Sequence, residues 1–330
     1  MKGNGKGRLW SWILAFPLAA FLLWWSLRGV DWQAVWRTIA GARWQFLAAA
    51  GIFVCLSFFM RSLRWRILLN AEESLPVGAV FCATMAGYMG NAFLPARAGE
   101  VIRTLVVSGR STLSKTYVLT TALSERLMDV IALVLWASLI LLGVHPKPGW
   151  MAGVARTMAI AAGLGAIVIA VLPHTGELCP SLLRRLPLPH TLRDRLIGLA
   201  DQVLLGMRAF HHTGRFLGFA AFTVLIWVSD SVGTMIGAHA LGLRLSFSMA
   251  MLLLTGLGLS SALPSTPGYV GIYQFVAVTV LVPMGISKSG ALAFILMVQA
   301  YGYAATLLVG LPCLYVLRSN APTKMAEAEG

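Results

Sequence analysis

Charged residues are scarce in this sequence, and so are the patterns of cysteine and histidine that mark metal sites. Only 12% of the 330 residues are charged, against roughly 25% in an average soluble domain. The four cysteines form no Cys-x-x-Cys pair and the six histidines are scattered, so neither a disulfide framework nor a metal-ligand set is indicated. Hydrophobic residues, by contrast, make up 58% of the chain, more than a soluble fold normally holds. The composition therefore predicts an all-α polytopic membrane protein and excludes a soluble enzyme.

Long apolar segments give the expected transmembrane helices. A spanning helix needs about 20 mostly apolar residues, and one shorter apolar stretch, 77–94, is interrupted by Pro95 and Gly99. The first segment ends in two tryptophans rather than a small-residue cleavage site, so we interpret it as a retained anchor. We expect about six to eight spans in one integral membrane domain, 1–330. The candidate spans are 9–27, 44–60, 117–143, 151–172, 216–241, 247–263, 269–286 and 289–317.

A polar connector divides the chain into two halves. The first half covers 9–172 and the second 216–318, with the connector at 173–215 and a short tail at 319–330. Apolar residues recur at helical spacing in the connector. This spacing predicts either an amphipathic helix on an anionic inner leaflet or a simple link between the halves.

The distribution of Lys and Arg predicts the orientation. With the N-terminus inside and residues 77–112 entering and leaving on one side, most of these cations lie inside, including Arg61, Arg64 and Arg66. The positive-inside rule favours this arrangement, so we expect a multi-pass protein of the inner (plasma) membrane with both termini in the cytoplasm. The net charge of +14 has the same origin, and we expect no nucleic-acid partner.

The pattern Leu-Pro-x-x-x-Gly breaks two apolar stretches, at 94–99 and 263–268. Proline removes a backbone donor and glycine interrupts a helix, so polar backbone groups are left at membrane depth. Interrupted segments at corresponding places in two halves are typical of transporters with an inverted repeat. We predict two re-entrant hairpins, 77–112 and 247–286, although the second could cross twice, and two kinked helices without a site would look the same. The predicted breakers are Pro95, Gly99, Pro264, Pro267, Gly268 and Gly271.

Charged residues occur where lipid is expected. Segment 117–143 contains Glu125, Arg126 and Asp129, and the first hairpin adds further charges. Arginines hold a phosphate bidentately, and the acids would orient them or carry a coupling proton. A static ion-pair cluster that only joins helices is the alternative. The predicted substrate-binding residues are Asn91, Arg97, Glu100, Arg103, Glu125, Arg126, Asp129, Ser260, Ser261, Ser265, Thr266, Tyr269 and Gln274, and we expect no catalytic residue, metal or other cofactor.

Four ordered motifs in the chain resemble the lysylphosphatidylglycerol synthase transmembrane (flippase-like) family. They are Arg61-Ser-Leu-Arg64-Trp65-Arg66; Gly87, Asn91, Pro95, Ala98-Gly99-Glu100 and Arg103; Glu125-Arg126-x-x-Asp129; and Pro267-Gly268 with Gly271. The resemblance covers roughly residues 10–318. It implies a module like the N-terminal flippase part of the multiple peptide resistance factor, and related proteins are associated with moving polyprenyl-phosphate-linked sugars or hopanoid precursors.

The chain departs from the family pattern at the second break. Members commonly have Pro-Gly-Gly-x-Gly-x-x-Glu, whereas Tyr269 and Gln274 stand here in place of a glycine and the acid. Gln299 lies in the last helix, where many members carry an arginine. We predict that a neutral hydrogen-bonded pair replaces an ion pair. The family's soluble transferase domain is not among these residues, so we do not expect synthase activity.

The leading hypothesis is a lipid transporter, not an enzyme, that moves an anionic phospholipid or a polyprenyl-phosphate-linked lipid between leaflets. The alternatives are a membrane-embedded enzyme acting on a lipid phosphate and a non-transporting partner subunit of a lipid-modifying enzyme. The sequence leaves the head group, the direction and energy source of transport, and the oligomeric state open.

Overall fold

The computed structural model describes residues 17–94, 98–143, 212–261 and 266–319, together with isolated positions between 153 and 210. In these residues the regular structure is helical, without a strand, as the composition predicts. The helices are α1 (Pro17–Leu27), α2 (Trp32–Ala40), α3 (Trp44–Leu69), α4 (Val77–Phe93), α5 (Gly99–Ser108), α6 (Lys115–Gly143), α7 (Thr213–Ala240), α8 (Phe247–Ser260), α9 (Ile272–Leu281) and α10 (Lys288–Ser319).

Some predictions fall outside the described residues. They concern the breakers Pro95 and Pro264, the candidate ligands Arg97 and Ser265, and most of the predicted span 151–172, the connector 173–215 and the tail 319–330.

Three of the described helices are long and apolar enough to cross a membrane: α3, α7 and α10. Helices α1, α4 and α8 and the stretch Ile272–Met284 are apolar but shorter. Helix α6 has 29 residues and carries the three predicted charges of 117–143. The described helices therefore belong to a membrane protein, as predicted.

Helix α3 is longer than its predicted span. The span was placed at 44–60, but the helix continues to Leu69, so Arg61 and Arg64 are helical residues. The physical reason is burial on the last turns of the helix. Trp65 and Leu68 are completely buried there, and apolar burial favours continuing the helix past the first cation.

Both predicted breaks interrupt helices in the structure. Helix α4 ends at Phe93 and α5 begins at Gly99, while α8 ends at Ser260 and α9 begins at Ile272. A 3₁₀ turn, Pro267–Tyr269, lies inside the second break.

The chain folds into two compact units. Unit 1 comprises Met1–Phe58, Met85–Gly99 and Ile226–Leu314, and unit 2 comprises Phe59–Thr84, Glu100–Leu225 and Tyr315–Gly330. The core of unit 1 joins α2, α7, α8, α9 and α10 through residues such as Val35, Leu253, Ile272 and Phe294. The core of unit 2 joins parts of α3 and α4 with α5 and α6 around Trp65, Val80, Val107 and Val118.

Candidate functional site: a buried ion cluster

The centre of the charged site in unit 2 is Arg64 of α3, whose side chain has 0% exposure. Its Nη1 donates to Asp129 Oδ1 at 2.6 Å and its Nη2 to Asp129 Oδ2 at 2.9 Å, which is a bidentate pair. The same Nη2 donates to Glu125 Oε1 at 2.8 Å. Glu125 and Asp129 are one turn apart on α6, so one guanidinium can reach both carboxylates.

Helix α7 completes the surroundings of Arg64. The Thr223 hydroxyl oxygen accepts a hydrogen bond from Arg64 Nη1 at 3.1 Å, and the guanidinium carbon lies 4.9 Å from the centre of the Phe219 ring. A buried arginine is tolerated when most of its N–H groups are bonded and its face rests on an aromatic ring. Of the Arg64 donors, Nε has no hydrogen-bond partner among the described residues. Arg64 therefore joins three helices of unit 2.

Arg103 of α5 is the second buried cation of the cluster. It donates to Glu125 Oε2 at 2.8 Å and to the Ala122 carbonyl at 3.3 Å. Its guanidinium also lies 4.6 Å from the centre of the Trp65 ring. Arg64 and Arg103 thus bind opposite oxygens of the same Glu125 carboxylate and fix its orientation.

Arg126 differs from these two arginines because its side chain is 30% exposed, against 0% for Arg64 and 4% for Arg103. Its Nε donates to Glu100 Oε1 at 3.0 Å. Its Nη1 lies 4.0 Å from Asp129 Oδ2, the i,i+3 contact that the sequence predicts. Of the three, Arg126 is the arginine with the most exposed side chain.

The cluster brings together side chains of both charges. Arg61 completes it, with Nη1 3.9 Å from Asp129 Oδ2. The cations Arg61, Arg64, Arg103 and Arg126 face the acids Glu100, Glu125 and Asp129. These side chains are paired with one another, as the burial of charges requires, and Arg61, Glu100 and Arg126 have further interactions as well.

The structure brings five predicted site residues together and adds two that sequence reasoning missed. Glu100, Arg103, Glu125, Arg126 and Asp129 all belong to the cluster. The two missed residues, Arg61 and Arg64, were interpreted as cytoplasmic flanking charges. The signal that pointed to them was the apolar Ile-Leu-Leu run that follows Arg66 and extends the helix.

The other predicted residues of the first break have a structural role in unit 1. Asn91 Oδ1 accepts a hydrogen bond from the Gly99 backbone N–H at 2.9 Å and so ties the two sides of the break together. A Cβ on Gly99 would collide with the Gly87 carbonyl oxygen and with Asn91. Gly99 is therefore required by close backbone approach.

The second break, also in unit 1, is held by a neutral network. Gln274 Nε2 donates to Gln299 Oε1 at 2.6 Å, and Gln274 Oε1 accepts from the Gly271 N–H at 2.7 Å. The Gly268 carbonyl accepts from Gln299 Nε2 at 2.9 Å and from the Tyr303 hydroxyl at 2.6 Å. The predicted neutral pair is present, and it supplies partners for backbone groups that the break removes from the helix.

Backbone geometry explains the glycines of this break. Gly268 and Gly271 have φ of +72° and +91°, in the left-handed region that glycine adopts without cost. Tyr269 has φ of +59°, which is costly for a side chain of that size, and its ring stacks on Tyr273 with centroids 4.8 Å apart.

The predicted hydroxyl donors are engaged locally. The Ser260 and Ser261 hydroxyls donate to the Leu257 and Gly258 carbonyls of their own helix, and the Thr266 hydroxyl donates to the Val270 carbonyl.

Comparison with known proteins supports the resemblance of the motifs. A profile described as the lysylphosphatidylglycerol synthase TM region matches residues 12–310. The chain is also 22% identical over 336 aligned positions to a protein of Haloferax volcanii named glycosyltransferase AglD, covering 91% of this chain and 53% of that protein. The chain thus spans about half the length of the curated relative that it matches.

Proposed function

The chain belongs to the lysylphosphatidylglycerol synthase transmembrane family, and from this premise we propose that it is a lipid transporter that moves an anionic lipid between leaflets. The observation that carries the proposal is the convergence of arginines in the buried cluster of unit 2, with Arg126 at its most exposed position. Phospholipids and polyprenyl-phosphate-linked lipids share a phosphate, which is the group that arginines bind best.

Arg126 is the residue that meets the phosphate. Its exposed fraction of 30% leaves part of the side chain accessible, and a phosphate is an anion that a guanidinium binds through two parallel hydrogen bonds. Arg64 and Arg103 do not contact the phosphate themselves. Their hydrogen bonds go to Glu125, Asp129 and a backbone carbonyl, so they position the acids that hold Arg126 in place.

A contact between the residues after α3 and the residues after α5 supports a hairpin that enters and leaves the membrane on one side. Glu73, just after α3, accepts hydrogen bonds from the Thr112 N–H at 2.8 Å and the Thr112 hydroxyl at 2.6 Å. Thr112 follows α5, so the chain segments before α4 and after α5 meet. A segment that crossed the membrane once would separate these two points by about 30 Å. We propose that 77–112 is re-entrant, and that 247–286 is its counterpart in an inverted repeat.

The second candidate is a membrane subunit that supports a lipid-modifying enzyme. It is favoured by the curated relative, which is named a glycosyltransferase and is about twice as long as the aligned region. Such a subunit would hold the lipid phosphate at the same cluster without moving it between leaflets.

Proteoliposomes distinguish the candidates. The purified chain is reconstituted with a fluorescent anionic phospholipid, or with a polyprenyl phosphate, and leaflet exchange is followed by dithionite quenching or by enzymatic access. Transport predicts exchange above that of empty liposomes, with no new lipid species in mass spectra. A supporting subunit predicts binding without exchange, and a lipid-modifying enzyme predicts a lipid of changed mass.

A further inference from the structure

Helix α2 has two exposed flanks with different side chains, one aromatic and one polar. Trp32 and Trp36, one turn apart, are 44% and 64% exposed. Gln33 and Arg37, also one turn apart, are exposed on the other flank. At 100° per residue the two pairs lie about 100° apart around the helix axis. The helix therefore presents an aromatic flank and a polar flank side by side.

The third side of α2 fixes it to unit 1. Val35 has 0% exposure and belongs to the core of that unit, and Ile39 packs against the same core. Asp31 caps the helix by accepting a hydrogen bond from the Ala34 N–H at 3.0 Å. Helix α2 is thus a rigid part of unit 1 rather than a loose loop, and its orientation is set by packing.

The neighbouring residues identify what covers the aromatic flank. Trp24 and Trp25 near the end of α1 are 55% and 54% exposed, and Trp44 at the start of α3 is 76% exposed. Further along α3, Ile52 is 68% exposed, which marks the surface of a membrane-crossing helix that faces lipid. Helix α2 lies in the chain between these exposed tryptophans of α1 and α3, and tryptophan is enriched where lipid meets water.

Charge points to the same environment. The segment from α1 to α3 contains Arg28, Arg37 and Arg43 but only one acid, Asp31. Basic residues beside exposed tryptophans match anionic lipid head groups. At nine residues, α2 is about 14 Å long, too short to cross a hydrocarbon core of about 30 Å.

We propose that α2 lies flat in the head-group layer of one leaflet, with Trp32 and Trp36 toward the acyl chains and with Gln33 and Arg37 toward water. Its partner is the lipid surface itself. The helix thereby fixes the depth and rotation of unit 1 in the membrane.

Site-specific fluorescence tests this orientation. The four native cysteines are replaced by alanine, and the single variants W36C, W32C and Q33C are labelled with an environment-sensitive fluorophore in liposomes. Nitroxide lipids labelled high on the acyl chain and aqueous iodide serve as quenchers, because interfacial helices sit about 5–10 Å into the boundary. V35C reports protein burial.

The expected result is several-fold stronger lipid-borne quenching at positions 36 and 32 than at 33, and several-fold stronger iodide quenching at 33. Three results overturn the proposal. Equal iodide quenching at all three positions places α2 in water. Lipid-borne quenching at 33 as strong as at 36 places the whole helix in the hydrocarbon. Shielding of 36 from both quenchers, as expected for V35C, means that protein covers the aromatic flank.

Discussion

Arg64 offers the sharpest test of how the cluster is held together. Replacing it with methionine keeps the length and apolar contacts of the side chain but removes three hydrogen bonds of 2.6–2.9 Å to Glu125 and Asp129. Glu125 keeps Arg103 at 2.8 Å, whereas Asp129 keeps only the more distant Arg61 and Arg126, at 3.9 and 4.0 Å. The loss at Asp129 therefore dominates. Breaking a buried ion pair by removing one partner costs about 3–5 kcal/mol.

Unfolding in mixed detergent micelles measures this free energy. Arg64→Met should lower the free energy of unfolding by about 3–5 kcal/mol, while Arg244→Met, at an exposed arginine, should change it by less than about 0.5 kcal/mol. The double variant Arg64→Met/Asp129→Asn should recover part of the loss, because the unpaired carboxylate is then neutral. An Arg64→Met variant as stable as Arg244→Met would refute the cluster geometry, as would a double variant that shows no recovery.

Three further predictions concern the breaks and the topology. Gly99→Ala should reduce folded yield and thermal stability much more than Gly51→Ala. A Cβ at position 99 meets the Gly87 carbonyl, whereas a Cβ at position 51 meets open space. Equal tolerance would mean that the backbones at Gly87 and Gly99 do not approach each other. Gln274→Glu should destabilise the second break by about 1–3 kcal/mol, because it buries an unpaired charge. The double variant Gln274→Glu/Gln299→Arg should restore thermal stability by pairing that charge. A double variant less stable than the single one would contradict the pairing. Single cysteines at Ser74 and Lys115 should label from the same side of the membrane with an impermeant maleimide, and labelling from opposite sides would exclude a re-entrant hairpin at 77–112.

Local patterns were sufficient to predict much of the fold. The predicted span 216–241 corresponds to Thr213–Ala240 and the span 289–317 to Lys288–Ser319, because hydropathy and helix length are properties of one segment. Both helix breaks were predictable for the same reason, since proline and glycine act on the backbone where they stand. The Gln274–Gln299 bond was implied by the family resemblance, since the acid and the base that many members carry at these positions are both absent here.

The role of Arg64 could not be predicted from local patterns. An arginine four residues past a predicted span is typical of a solvated flank, and only its partners show that its side chain is buried in the protein. Those partners, Glu125 and Asp129, lie more than 60 positions further along the chain. Burial of a charge is decided by such distant contacts, so the sequence predicted the acids of the cluster but not the cation at its centre.

Leaflet exchange by Arg126 variants tests the central claim most directly. A labelled anionic phospholipid is reconstituted with the parent chain, Arg126→Gln, Arg126→Lys, Arg126→Gln/Glu100→Gln and the control Arg244→Gln. If Arg126 binds the phosphate, exchange is lost in Arg126→Gln, is poorly rescued by lysine because an ammonium lacks the planar fork, stays lost in the double variant and is normal in the control. Normal exchange in Arg126→Gln/Glu100→Gln would contradict the account, since Arg126 would then serve only to neutralise Glu100.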